Sequence, residues 1–225
     1  MLSLRIGGKW DGFFKRHRKI SRKKGVDINT SVETDWRISP EWLNNYILPY
    51  LPNDPVICEI GPGSGRISQH LIHKAKFYYF VDYSRYVCKM LKKMYHGKKN
   101  IRIIKVKHSN LQQIESNTVD FAFSISTFVH LYIEQIYGYL RECRRILKKT
   151  GICVIHFADF MDDGGYQFFQ DNLPKKMRCD RRSVFRFYHP EMMEKIALKL
   201  GFRIIKRETI TGTRHCFIIL GNNGK

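Results

Sequence analysis

From residue 56 onward the chain alternates short apolar runs with longer stretches of helical periodicity. Val56–Ile60, Phe77–Asp82, Ile101–Val106, Val119–Ser124 and Ile152–Phe157 read as strands, each nearly continuous in apolar, β-branched or aromatic residues. Between them lie a helical segment over 65–74, a helix capped by Ser84 with Val87, Met90, Leu91 and Met94 at helical spacing, and a long amphipathic helix over Leu131–Leu147. That last helix is closed by Lys148, Lys149 and Gly151. Strands separated by helices of this length predict βαβ units and a parallel sheet buried on both faces. Upstream, Trp42, Leu43, Tyr46 and Ile47 share helical spacing, with Ser39 placed as N-cap, Pro40 in the first turn and Pro49 and Pro52 closing the segment. After the fifth strand the pattern breaks. Residues 160–188 carry Gly164-Gly165, Pro174, many aromatics and a basic set (Lys175, Lys176, Arg178, Arg181, Arg182, Arg186), and read as a loop or lid on the acceptor side. Order returns with a helix over Pro190–Leu200 and strands over Arg203–Glu208 and His215–Leu220. The link between those two strands, Thr209–Arg214, is too short for a crossover helix, so they should pair antiparallel. The expected fold is a single α/β domain over 36–225 with a doubly wound, seven-stranded sheet, mostly parallel, with one antiparallel strand near the C-terminus. Residues 1–35 are basic and polar with little periodicity and read as an extension.

Charge changes this picture most. Forty Lys and Arg against twenty Asp and Glu give a formal charge of +20. An excess of this size is the footprint of a nucleic-acid binder, or of a protein that meets anionic lipid or glycan. It is also what a composition that spends cations on solvated faces would give, because the excess is spread along the whole chain. The densest cluster is Lys15 to Lys19 with Arg22, Lys23 and Lys24, placed before the first clear core element as a mobile arm would be. No apolar run approaches the roughly 20 residues needed to cross a bilayer. Met1–Trp10 has no signal-peptide h-region or cleavage site, so secretion is not signalled. Six scattered cysteines without a C-x-x-C pair suit a reducing cytoplasm.

The chemistry concentrates where the first strand ends. Glu59-Ile60-Gly61-Pro62-Gly63-Ser64-Gly65-Arg66 runs from strand into glycine loop and helix, at the edge where open α/β sheets bind ligands. Gly61 and Gly63 let backbone approach a ligand, and Gly65 lets the helix start close to the sheet. A dinucleotide fingerprint would need glycine where Arg66 stands, and a P-loop would need Gly-Lys-Ser/Thr at the helix entry. Asp82 closes the second strand, and a carboxylate there can accept both hydroxyls of a ribose.

These residues resemble the class I S-adenosylmethionine-dependent methyltransferase family. The block from Glu59 to Gly65 is similar to its first motif and Asp82 to its second-strand acid. The likeness continues through Asp120-Phe121-Ala122-Phe123-Ser124 and Arg144-Arg145-Ile146-Leu147-Lys148, covering about residues 40–220. The resemblance implies a Rossmann-like fold and S-adenosyl-L-methionine as cofactor, released as S-adenosyl-L-homocysteine. It implies that Glu59 and the glycine loop hold the methionine moiety and Asp82 the ribose. Cofactor contacts are thereby expected at Glu59, Gly61, Gly63, Gly65, Arg66, Asp82, Tyr83, Ser109, Asn110 and Ser124. Where the family often carries an acid after the third strand for the adenine amino group, this chain has His108-Ser109-Asn110.

The acceptor must be aligned and, if it is a hydroxyl, relieved of a proton. His130 after the fourth strand and His156 near the end of the fifth are the candidate bases; each is equally a candidate structural histidine. Asp159, with Asp162 and Asp163, could bind a divalent cation, but the trio is also good turn chemistry, the reading preferred, and no metal is expected. The Asn/Asp-Pro-Pro-aromatic run of base amino-methylating enzymes is missing after the fourth strand, and no cysteine follows a proline as in cytosine C5 enzymes. The run from Val119 to Leu131, the helix with Tyr139 to Arg145, Ile155-His156 and Pro40-Glu41-Trp42 resemble small O-methyltransferases of glycan synthesis in bacteria and large viruses. That likeness implies a sugar or glycan acceptor, with loop aromatics against a sugar ring and loop arginines on a phosphate or nucleotide handle. An RNA ribose or base, or a methyltransferase fold serving as a nucleic-acid-binding module, are the alternatives. The oligomeric state is not encoded in any feature of the sequence.

Overall fold

A computed structural model describes residues 2–33, 39–177 and 185–223. Two compact units follow one another along the chain, Met1–Gln113 and Ile114–Lys225.

The N-terminal unit opens with two helices, α1 (Leu2–Lys24) and α2 (Ile28–Glu33). This corrects the reading of the first 35 residues as lacking periodicity. Phe14 and His17 are buried, while Lys15, Arg16 and Lys19 on the same helix are exposed. The basic cluster is therefore the outer face of a packed helix. Three short turns follow: α3 (Pro40–Trp42), a π-helical turn over Leu43–Ile47 and a 3-10 turn over Leu48–Tyr50. Ser39 caps α3 as expected, accepting from the Glu41 N–H at 3.3 Å. Strands β1 (Val56–Ile60), β2 (Phe77–Asp82) and β3 (Ile101–Lys105) then form a parallel set in the order β3-β2-β1. The helix expected over 65–74 regularises only as α4 (Ser68–Leu71). Helix α5 (Arg85–Met94) starts on Ser84, whose Oγ accepts from the Val87 N–H at 3.0 Å. Ile57, Tyr78, Phe80 and Leu91 are fully buried, and side chains of this size each contribute roughly 1.5–3 kcal/mol when withdrawn from water.

The C-terminal unit holds β4 (Val119–Ser124), a 3-10 turn over Phe128–His130, α6 (Ile133–Ile146), β5 (Leu147–Asp159), α7 (Asp163–Met177), β6 (Phe187–Tyr188), α8 (Pro190–Lys199), β7 (Phe202–Thr209) and β8 (His215–Asn222). Its strand order is β4-β5-β8-β7. The short β6 lies parallel to β5, pairing Ala158 with Phe187 and Asp159 with Tyr188. β8 runs antiparallel to both β5 and β7, as the short 209–214 link required. Eight strands are thus present among the described residues, not the seven expected; the extra one is β6, inside the stretch read as loop. The architecture is α/β and Rossmann-like, mostly parallel, with antiparallel pairing near the C-terminus.

Two further boundaries moved for identifiable reasons. α6 ends at Ile146, because Leu147 is already extended (φ −69°, ψ 137°) and starts β5. The Asn222 amide clamps that start, donating to the carbonyls of Leu147 and Lys148 at 2.9 Å each. The second is α7, where Gly164-Gly165 suggested a break. A Cβ on Gly165 would lie 1.9 Å from the Asp159 carbonyl oxygen, and one on Gly164 2.2 Å from that of Gly212. The glycines let the helix start flush against β5 and the β7–β8 turn. Arg178, Cys179, Arg181 and Arg182 lie outside the described residues.

Candidate functional site

In the N-terminal unit the parallel register sets Ile60 beside Val81 and Asp82 beside Lys105, so the ends of β1 and β2 stand side by side. The chain leaves β1 through Gly61, whose N–H donates to the Val81 carbonyl at 2.8 Å. Gly61, Gly63 and Gly65 all have left-handed backbones (φ 74°, 56° and 85°), a conformation that costs any side-chain-bearing residue. The turn closes with the Gly65 N–H on the Pro62 carbonyl at 2.9 Å. Glycine loop, Glu59 and Asp82 thereby form one cup.

Its two carboxylates are held in unusual states. Glu59 is buried and accepts from Tyr78 Oη at 2.8 Å. Burial pushes its pKa up to about 7, outweighing that hydrogen bond. Asp82 accepts from the Ser84 N–H at 2.6 Å. Burial again dominates and lifts its pKa to about 7, against the backbone N–H groups of Ser84 and Gly63 and with a smaller upward push from the charge of Asp11. Two acids so placed favour a ligand that brings a positive charge and hydroxyl donors. Arg66 and Tyr83 flank the cup, both partly buried. After β3, Ser109 is partly buried, while Asn110 is exposed and spends its Oδ1 on the Gln112 N–H at 2.9 Å.

Helix α1 packs onto this cup, a feature the sequence reading missed. Phe14 faces the glycine loop so closely that a Cβ on Gly63 would lie 3.0 Å from its ring. Asp11 accepts from Ser84 Oγ and from the Tyr86 N–H at 3.1 Å, pinning α1 to the turn that follows Asp82. The signal for it was Trp10, Phe13, Phe14 and His17 at helical spacing among the cations.

The cup fits S-adenosylmethionine. Ser64 Oγ in the loop is buried and has no hydrogen-bond partner among the described residues. Such a group normally finds one, and a ligand in the loop would supply it. The left-handed glycines hold the loop in a conformation that side-chain-bearing residues avoid, and the two acids suit the cofactor's cationic and diol groups.

In the C-terminal unit Ser124 is buried at the end of β4. Two residues on, Ser126 adopts a left-handed backbone (φ 57°), and its N–H donates to His156 Nδ1 at 3.0 Å. With Nδ1 accepting, the His156 proton sits on Nε2 and points at His215 Nδ1, 2.9 Å away. Burial first, then the neighbouring His215 and Arg214, holds His156 well below the usual histidine range, and His215 is lowered to about 4. Both ring nitrogens of His156 are thus engaged, one of them by the turn that follows β4. Asp159 is similarly committed: Oδ1 accepts from the Met161 N–H at 2.8 Å and Oδ2 from Thr209 Oγ1 at 2.7 Å. Asp162 accepts from the N–H groups of Gly164 and Gly212. These acids organise turns, and among the described residues no group of three or more His, Cys, Asp or Glu is placed to hold a metal ion.

His130 differs. It sits on the 3-10 turn after β4, buried, with its ring 5.0 Å from that of Phe185. Phe185 in turn lines a cavity of about 710 Å3 at the carboxyl end of β5, walled by Tyr132, Phe160, Phe169, Phe187 and Tyr188 with Glu134, Arg186 and His189. Among the described residues, no helix is long and apolar enough to cross a membrane.

Residues 58–155, which span both the glycine loop and His130, match the sequence family described as "Methyltransferase domain". No curated protein sequence matches the chain. Among solved structures it is similar to the PH0226 protein of Pyrococcus horikoshii (20% identity over 81% of this chain and 88% of that one, TM-score 0.63). It is also similar to a Haloferax volcanii chain from the complex between the Trm112 methyltransferase activator and a methyltransferase (11% identity, 98% of each chain, TM-score 0.69). A third likeness is to the Burkholderia thailandensis 1,6-didemethyltoxoflavin N1-methyltransferase with bound S-adenosylhomocysteine (12% identity, 76% and 72%, TM-score 0.56). Residues 58–155 thus form a methyltransferase domain, and the chain is a methyltransferase similar in fold to S-adenosylmethionine-dependent enzymes.

Proposed function

We propose that the chain methylates a sugar hydroxyl of a glycan or glycan precursor in the cytoplasm. The observation that carries this reading is the aromatic cavity beside His130. Flat faces of Phe160, Phe169 and Phe187 suit the C–H faces of a pyranose, and Glu134 and His189 at its wall can bond hydroxyls. Bound cofactor supplies an activated methyl group. Of the chain's own groups, Asp82 accepts the ribose hydroxyls, Glu59 and the loop from Gly61 to Gly65 hold the methionine end, and Arg66, Tyr83, Ser109, Asn110 and Ser124 complete the contacts. His130 takes the acceptor hydroxyl proton at a ring nitrogen. His156 keeps His130's turn in place by holding Ser126, and Asp159 anchors the turn into α7.

An RNA acceptor is the second reading, favoured by the row of exposed cations on α1 (Lys15, Arg16, Lys19, Arg22, Lys23). Transfer of labelled methyl to a panel of glycans, nucleotide sugars, tRNA and rRNA, with and without chelator, separates the two. Label on a glycan or nucleotide sugar is the expected result. Label on RNA alone would overturn it, and loss with chelator would return Asp159 to consideration as a metal ligand.

A further inference from the structure

We propose that the acceptor carries a phosphate or diphosphate group, gripped by Arg186 in the lining of the aromatic cavity of the C-terminal unit and by Arg214, which lies over the Phe185 of that lining. This rests on the sugar-acceptor reading and narrows it to a sugar phosphate or sugar diphosphate. Arg186 lies flat on Tyr132, its guanidinium carbon 3.5 Å from the ring centroid. Arg214 lies on Phe168 at 3.8 Å and reaches the Phe185 ring at 5.1 Å. Neither guanidinium makes an ion pair with a carboxylate among the described residues. The Nε of Arg186 is buried without a hydrogen-bond partner among them.

A guanidinium partly withdrawn from water with no counter-charge is unfavourable, and an arriving anion relieves that cost. Stacking on an aromatic face fixes the guanidinium plane and leaves its N–H edge free for bidentate contact with phosphate oxygens. The two arginines are linked through one wall: Phe185 adjoins Arg186 in the chain and packs on Phe168 at 5.1 Å, beneath Arg214. The field of Arg214 is felt nearby, since it helps lower both His156 and His215. Glu134 is the one acid in the cavity lining among the described residues and can bond hydroxyls there.

Calorimetric titration of the full chain with pyrophosphate, glucose 1-phosphate and glucose, at physiological salt, tests this. Both anions should bind, and glucose 1-phosphate should exceed glucose by at least roughly tenfold, the scale of one charge-assisted pair. R186Q and R214Q should each lose about that factor while keeping S-adenosylmethionine affinity. R186K, which keeps charge and fold but not the flat fork, should fall between R186Q and the parent chain. Anion binding unchanged in the double variant would assign it to diffuse surface charge and overturn the proposal, as would full retention in R186K. An RNA oligonucleotide that loses more affinity than glucose 1-phosphate in these variants would overturn the sugar phosphate as the class bound. Methyl transfer to a neutral sugar, unaffected by R186Q, would overturn this inference and leave the sugar reading standing. Anion binding at Arg186 together with label on RNA alone would overturn the sugar reading and the sugar phosphate with it, leaving the anion grip itself.

Discussion

The two candidate sites are built from opposite materials. The cup of the N-terminal unit is backbone and carboxylate: three left-handed glycines, an orphaned serine hydroxyl, and two acids lifted to about 7 by burial. The cavity of the C-terminal unit is aromatic rings and arginine, with Glu134 the one acid in its lining among the described residues and the nearby Asp159 and Asp162 spent on turns. The glycine loop and both acids of the first lie within one βαβ turn and the next strand tip, so adjacent register assembles them, and α1 only covers the result. The second draws on residues from Tyr132 to His189, brought together in part by β6 beside β5. A cofactor shared across many enzymes can be held by a short local motif. An acceptor peculiar to one enzyme is met by side chains gathered from afar.

The sharpest break in that contrast would come at His130. Replacing it with alanine should cut turnover on the identified acceptor by roughly 10²–10⁴, the usual range for a lost general base. Cofactor affinity by calorimetry should stay put, since the His130 ring packs on Phe185 of the aromatic cavity. A variant with near-normal turnover would remove His130 from proton transfer. The next largest effect concerns Glu59. Its folded pKa of about 7 lies above its ordinary 4.5, so the folded chain binds more protons between those values. Stability without cofactor should therefore fall as pH rises from about 4.5 to 7, by about 3 kcal/mol for this group, and stay level above. Urea unfolding across that window should show the slope, and E59Q should reduce it. Asp82 adds a slope of the same sign, so only the E59Q/D82N pair should flatten the profile.

Asp82→Ala alone should weaken S-adenosylmethionine binding by roughly 10–100-fold, the worth of hydrogen bonds to a charged acceptor. An unchanged dissociation constant would take the ribose away from Asp82. The smallest effect is expected at Gly63→Ala, where the left-handed backbone costs about 1–2 kcal/mol and the added methyl crowds Phe14. Thermal unfolding should register a modest drop, and an unchanged midpoint would remove the strain argument at Gly63.

Much of the fold was legible because strand and helix signals are local. The spans of β1, β2 and β4, the Ser39 and Ser84 caps and the antiparallel pairing of β8 with β7 are as the pattern reads. What escaped depends on long-range partners. Gly164-Gly165 and Pro174 look like a break until Asp159 and Gly212 are seen pressed against the helix start. α1 reads as a basic arm because its cations outnumber Trp10, Phe13, Phe14 and His17. The partners of the His156 ring, Ser126 and His215, are not legible because neither is near it in sequence. Arg214 fell within a link that seemed only a turn.

The packing of Phe14 on Gly63 and the grip of Asp11 on Ser84 and Tyr86 also bear on how the protein is handled. The first two dozen residues are as much a wall of the cup as the glycine loop is. A preparation clipped after Lys24 would present a different pocket under the same fold: the loop would lose its apolar cover, α5 would lose an acid at its N-terminus, and Asp82, freed of Asp11's field, would ionise at lower pH. Intactness of the N-terminus, checked by mass spectrometry, thus sets whether two measured cofactor affinities describe the same site.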